Sequence, residues 1–282
     1  MSILKSQLPI DGMVLLNLIA EGRAIHPGMG LRQLWELYMP AVGRDAFIEF
    51  GMQQGLGAER PSNPIRTTYS TKSNRYTNLL IKKRFTDVNQ VWATDITYFK
   101  TKAGATYYIF TLMDLYSRRI IGFHAASNLK ASNALIALQM AMDLRNVKDF
   151  KYQLIHHSDR GSQYIWEKYT QQLEQYHIRI SMCRSALENV FEERSHGTIK
   201  NQYLAFRPIN NLDDLAHWLK KDIYTYNHLR PHRSLNRMTP VQYEQHISNI
   251  PINQRTKMTC FTLKNQPILK NDPNQLSLFS TN

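Results

Sequence analysis

The chain has 282 residues, 43% of them hydrophobic, with 35 Lys and Arg against 22 Asp and Glu, a formal net charge of +13 and a pI of about 9.7. That length suits a catalytic unit with smaller flanking modules. No long apolar run offers a membrane span, the N-terminus MSILKSQLPIDGMVLL lacks the segments of a signal peptide, and two distant cysteines, Cys183 and Cys260, match neither a disulfide framework nor a zinc spacing. The positive excess points to a polyanionic partner, most commonly nucleic acid.

In chain order, residues 30–57 hold two short helical patterns, GLRQLWELYM and GRDAFIEFGMQQGL, separated by Pro40 and Gly43. Leu31, Leu34, Trp35 and Tyr38 share one face, as do Ala46, Phe47 and Phe50. The pair fits a helix-turn-helix or an ordinary helical hairpin. Residues 58–85 carry seven Lys or Arg against one Glu, with Pro61 and Pro64, and read as a basic linker. Strand signals follow in VWATDITYF (91–99), ATYYIFTLMD (105–114) and RRIIGFHAA (118–126). Their short connections predict an antiparallel meander. Residues 131–146 read as a helix with Asn128 or Ser132 as cap. A buried strand is predicted at 152–158, a helix at 162–176, a strand at 177–182, and helices from about Asn189 to Leu204 and from about Asp213 to Leu229. This order predicts an α/β fold, a ribonuclease-H-like mixed sheet flanked by helices and preceded by a small helical, helix-turn-helix-like module. The expected division is a helical module at 1–57, a basic linker at 58–87, a core at 88–248 and a loosely ordered tail at 249–282.

Three carboxylates stand out. Asp95 interrupts an apolar strand, where a charge is costly unless compensated, and alternation turns it to the face opposite Thr94 and Ile96, toward either a site or solvent. Asp159 closes the strand YQLIHHS before Arg160 and Gly161, where it could be a ligand at a strand end or the N-cap of the next helix, with Ser162 competing. Gly161 is expected to allow a sharp turn. Glu193 shares a helix face with His196 or Gly197 and Lys200. Glu188 and Glu192 compete with it, and an ordinary solvated charged face explains the pattern as well. Carboxylates converging from separate elements suit two Mg²⁺ or Mn²⁺ ions roughly 4 Å apart, one activating an attacking oxygen and the other stabilising a leaving one.

WATDITYF, MDLYSRRIIGFH, HHSDRGSQY, ISMCRSALENVFEERSHGTIKNQYL and YNHLRPHRSLNRMTPVQY together resemble the OrfB-type transposases of bacterial insertion sequences, the IS-three group, over residues 25 to 248. The resemblance implies an enzyme, a DDE transposase or polynucleotide strand transferase that is Mg²⁺-dependent and in which water or a 3′-hydroxyl attacks a phosphodiester in line, with no covalent protein intermediate. It assigns the catalytic and metal-ligand roles to Asp95, Asp159 and Glu193, the last selected over Glu188 and Glu192 because GTIKN anchors the match just beyond it. Thirty-three residues lie between Asp159 and Glu193, two short of the family's usual spacing, and the shortfall falls in SMCRSALEN. The implied partners are double-stranded DNA (element ends and target), further copies of the chain on DNA, and an upstream helix-turn-helix protein, bound or fused by frameshifting. This chain is expected to start past that upstream region and to act in the bacterial cytoplasm, at the nucleoid, with no membrane partner. A nuclease on the same fold and a non-catalytic DNA-binding fragment are the competing readings.

Arg160 and Lys200 neighbour the carboxylates and are the foremost candidates for phosphate contacts, joined by Lys82 and Lys83 of the basic linker. Asp114 at a strand end is expected to cap a turn. The pairs His156–His157 and His228–His232 invite a zinc reading, but Pro231 interrupts the second pair and no cysteine completes a set.

Overall fold

The computed structural model describes residues 11–58, 76–81, 83–150, 153–183 and 190–259. Helices α1 (Gly12–Ile25), α2 (Leu31–Tyr38) and α3 (Arg44–Gln53) come first. They bury their own apolar cluster, including Leu15, Ile19, Leu34 and Phe47. α1 was not anticipated: Met13, Val14, Leu15 and Leu16 are consecutive, which blurs the helical period, and Met13 and Val14 are exposed. Most of the expected basic linker lies outside the described residues, as do residues 260–282 of the expected tail.

The body is a five-stranded mixed sheet of β2 (Val91–Lys100), β3 (Thr106–Asp114), β4 (Ile120–Ala126), β5 (Ile155–Ser158) and β6 (Arg179–Met182), in the order β4-β3-β2-β5-β6. β2, β3 and β4 form the antiparallel meander, while β5 runs parallel to β2 and β6 parallel to β5. A separate two-stranded ladder joins β1 (Arg84–Phe85) to β7 (Met258–Thr259).

Alternation along the strands divides the core in two. Trp92, Phe110 and Leu112 pack against α4 (Ala131–Arg145) and α5 (Glu167–Gln175) through Ala134, Leu138, Tyr169 and Leu173. Val91, Ala93, Ile109, Met113 and Ile155 face the other way. There they meet Ile199 and Tyr203, which follow α6 (Val190–Thr198), and Leu215, Leu219 and Ile223 of α7 (Leu212–His228). The whole is the ribonuclease-H-like arrangement, a mixed sheet with helices on both faces.

Local details differ from expectation. The helix over 162–176 is interrupted at Trp166, which is extended, so a 3-10 turn (Ser162–Ile165) precedes α5. Neither Asn128 nor Ser132 caps α4; its N-cap is Lys130, whose N–H is bonded by the Asn128 side chain. α6 widens into a π-turn (Ile199–Tyr203). α8 (Pro240–Ser248), unforeseen, starts with a capping box between Thr239 and Gln242. No described helix is long and apolar enough to cross a membrane.

Candidate active site

Asp95 pairs with Thr111 across β2 and β3, so both point to the face covered by α6 and α7. Ala93 pairs with His157 in the parallel β2–β5 ladder. Two residues further along both strands, Asp95 comes alongside Asp159, just past the end of β5. Adjacent parallel strands therefore deliver two carboxylates to one spot. The Asp159 carboxyl is pushed up to about 6, first by burial and then by the charge of Asp95, with the Gly161 N–H pulling it back.

That N–H donates to Asp159 Oδ1 at 2.9 Å. Asp159 thus closes its own short turn and is not a helix cap; the 3-10 turn after it has Gly161 as its N-cap. Gly161 is not needed for an unusual backbone angle, since its φ is −63°. A Cβ there would stand 2.9 Å from both Asp159 Oδ1 and Gln163 Oε1, so a side chain at this position would push on the Asp159 carboxylate itself.

α6 crosses this face. His196 Nδ1 lies 3.3 Å from Asp95 Oδ2 and its Nε2 lies 2.6 Å from Thr111 Oγ1. His196 thus spans Asp95 and Thr111, at ion-pair distance from the first and hydrogen-bonded to the second, and packs Asp95 against β3. One turn earlier, Glu192 is buried with Oε1 unbonded, and its carboxyl is raised to about 8, first by burial and then by Asp95. Glu193, next to it, is exposed. Lys200, on the same flank as Glu193, is lowered by burial and raised by the nearby Asp95, with Nζ 5.0 Å from the centre of the Tyr98 ring.

The structure thus brings Asp95 and Asp159 together and sets Lys200 near them. It leaves Glu193 at the exposed edge of α6, and among the described residues no three acidic, His or Cys side chains close into a ready-made metal cage. The donor set is nevertheless all oxygen, and a carboxyl whose affinity for protons is raised by burial and a neighbouring carboxylate will also draw a hard cation. Arg160 is half-buried directly after Asp159, Lys83 is exposed on the approach to β1, and Lys82 lies outside the described residues. Glu188 does too.

The other sequence candidates take structural roles. Asp114 is fully buried and accepts from the N–H groups of Asn89, Tyr116 and Ser117, which makes it a turn cap. His156 bonds the Tyr169 hydroxyl at 2.8 Å and His157 bonds Ser181 Oγ at 2.9 Å. His228 and His232 contact main-chain carbonyls at 3.0 and 3.4 Å. Sequence reasoning missed Thr111 and the bracing by His196. The available signal was the cross-strand position of Thr111, since a polar residue on an inward-facing strand position wants a partner.

Residues 86–186 match the family model described as integrase core domain, and residues 175–240 match a second model of that description. The chain is 30% identical over 198 residues to the transposase ascribed to insertion sequence element IS986/IS6110 of Mycobacterium tuberculosis, covering 67% of this chain and 70% of that one. It is 29% identical over 201 residues to transposase InsF for insertion sequence IS3A of Escherichia coli, covering 68% and 67%. Among solved structures it is similar to a chain of the simian T-cell lymphotropic virus intasome in complex with PP2A regulatory subunit B56 gamma, at a TM-score of 0.50 and 17% identity, over 83% of this chain and 76% of that chain; this shows the shared fold. The chain belongs to the insertion-sequence transposases, DDE strand transferases built on an integrase core of ribonuclease-H-like fold.

Proposed function

We propose that this transposase cuts and joins DNA ends with two Mg²⁺ or Mn²⁺ ions held by Asp95, Asp159 and Glu193. The observation that carries the reading is the placement of Asp95 and Asp159 side by side at neighbouring strands, with the Asp159 carboxyl raised to about 6. When bound, the metal supplies activation of the attacking oxygen and charge stabilisation at the leaving one. The protein's own residues hold and orient. His196 fixes the direction of Asp95, the Gly161 N–H fixes that of Asp159, and Lys200 and Arg160 neutralise the phosphate next to them. Glu193 completes the set from the exposed edge of α6, where DNA can reach it.

The same reading divides the chain into a helical module at 1–57, a basic linker at 58–87, a catalytic core at 88–248 and a tail at 249–282. Lys82 and Lys83 serve as backbone contacts. The substrate is double-stranded DNA, with copies of the chain assembled on it at the nucleoid and an upstream helix-turn-helix protein fused or bound.

The test is a strand-transfer assay on duplex DNA carrying the element's ends, with Mg²⁺. Asp159→Asn and Glu193→Gln should abolish both cleavage and joining; Asp159→Asn cleaving and joining at the wild-type rate would sink the proposal. Hydrolysis without joined products would make the protein a nuclease. The burial of Glu192 beside Asp95 favours a second assignment of the third ligand. That assignment replaces the first if Glu192→Gln abolishes transfer and Glu193→Gln does not.

A further inference from the structure

α6 presents a third flank, away from both the sheet and Glu193. Phe191, Arg194, Ser195 and Thr198, three, four and seven residues on from the first, share one helix face and line a cleft of about 450 Å³. Arg118, from the turn between β3 and β4, joins them, as do Arg230, Arg233 and Arg237 from the segment after α7. The far wall is α2, through Gln33 and Glu36. That wall is held against the core by the Gly28 N–H, which donates to the Gln202 carbonyl at 2.8 Å, and by His26, whose Nδ1 lies 2.8 Å from the Tyr203 hydroxyl. A Cβ on Gly28 would stand 2.6 Å from Gln202 Cα, so glycine permits the approach.

Five guanidinium groups line this cleft with one carboxylate. Glu36 is already shared between Arg32 at 3.4 Å and Arg233 at 3.8 Å. Arg230 is the deep member. It is 5% exposed, it meets the neutral Tyr203 side chain, its Nη1 has no hydrogen-bond partner, and it takes part in none of the ion pairs formed by the described residues. Its neighbours His26 and His232 offer no counter-charge. Burial first and then the charge of Arg230 hold each at about 4, so both are neutral near pH 7. A desolvated cation with an unused donor is costly until an anion meets it. Arg194, Arg233 and Arg237 are exposed at the rim and extend the positive surface outward. A planar fork at the floor with a row of arginines leading to it suits the oxygens of a phosphodiester chain.

We propose that the cleft between α2, α6 and the segment after α7 is a second DNA site, in which Arg230 takes a backbone phosphate and the rim arginines take its neighbours. The inference rests on the transposase reading and adds to it: α6 sits between the carboxylates on one flank and this phosphate seat on the other. DNA gripped by the cleft is thereby registered against the cutting site.

The experiment measures binding of a labelled duplex to the full chain in EDTA, across a salt series, by fluorescence anisotropy. The rim variant Arg233→Gln/Arg237→Gln should weaken binding about tenfold and lower the magnitude of the log–log salt slope by about 0.9 for each phosphate no longer neutralised. Arg230→Lys, which keeps the charge and removes the fork, should weaken binding with little change in slope. Wild-type affinity and slope in the rim variant would overturn the proposal. So would thermal stabilisation of the wild type by inorganic phosphate, absent in Arg230→Lys, with DNA affinity unchanged in every variant; the cleft would then be a seat for free anions. Asp159→Asn separates the two readings. If it loses strand transfer while the rim variant binds DNA normally, only the cleft fails. If it transfers normally, the carboxylate site fails and the salt slope still judges the cleft.

Discussion

Glu192→Gln removes a single buried proton-binding group and leaves its shape in place. Burial, and then the charge of Asp95, raise the Glu192 carboxyl to about 8 from a reference value of 4.5, with Arg118 acting in the opposite direction. Between those two values the unfolded chain releases a proton that the folded chain retains. Stability therefore falls as pH rises through that window, by about 1 kcal/mol for each pH unit. Glutamine never ionises, so the variant lacks this slope. In EDTA, the unfolding free energy of Glu192→Gln relative to wild type should climb from pH 5 to pH 8 by a few kcal/mol, on the order of the linkage limit, and level off above about pH 8. Urea denaturation at a series of pH values measures it. Parallel profiles for the two proteins would refute the claim that Glu192 is buried as a neutral acid against Asp95.

His196→Ala removes the groups that contact Asp95 and Thr111; it should cost about 1–2 kcal/mol and slow strand transfer, and a variant of normal stability and rate would show that Asp95 needs no brace. Asn227 accepts from the Ile120 N–H at 3.0 Å and donates to the Ile120 carbonyl at 2.8 Å, tying α7 to edge strand β4. Asn227→Ala strands both main-chain groups and should cost about 2–3 kcal/mol by denaturant midpoint; a loss below about 0.5 kcal/mol would contradict it. Glu244 bridges Arg119, at 2.7 Å, and Arg145. Glu244→Gln leaves two partly buried cations without their carboxylate and should lower stability by about 3 kcal/mol, measured by thermal and urea unfolding; an unchanged midpoint would mean that solvent already screens the cluster.

Where local pattern decides conformation, the chain could be read directly. The meander followed from three β-rich runs with short connections, and α4 and α7 from long runs free of Gly and Pro. Asp95 could be placed on the face opposite Thr94 because alternation is a property of the strand alone. α8 had a readable start in Thr239, Pro240 and Gln242, a capping box that stands out less than a long apolar period. The interruption at Trp166 and the π-turn over Ile199–Tyr203 had no such local mark.

The amino-acid sequence by itself determined that this is an insertion-sequence transposase with a mixed sheet and three candidate carboxylates. Those conclusions rest on near-neighbour periodicity and on motif identity. Only the tertiary structure decided that Asp95 and Asp159 meet, because their adjacency comes from the β2–β5 register, between strands more than fifty residues apart in the chain. It alone decided that Glu192 is buried while Glu193 faces outward, because two consecutive helical residues point about 100° apart and packing against the sheet selects which one loses water. The five-arginine cleft was equally invisible, since Arg118, Arg194 and the arginines at 230, 233 and 237 come from separate segments that only the fold brings to one cleft.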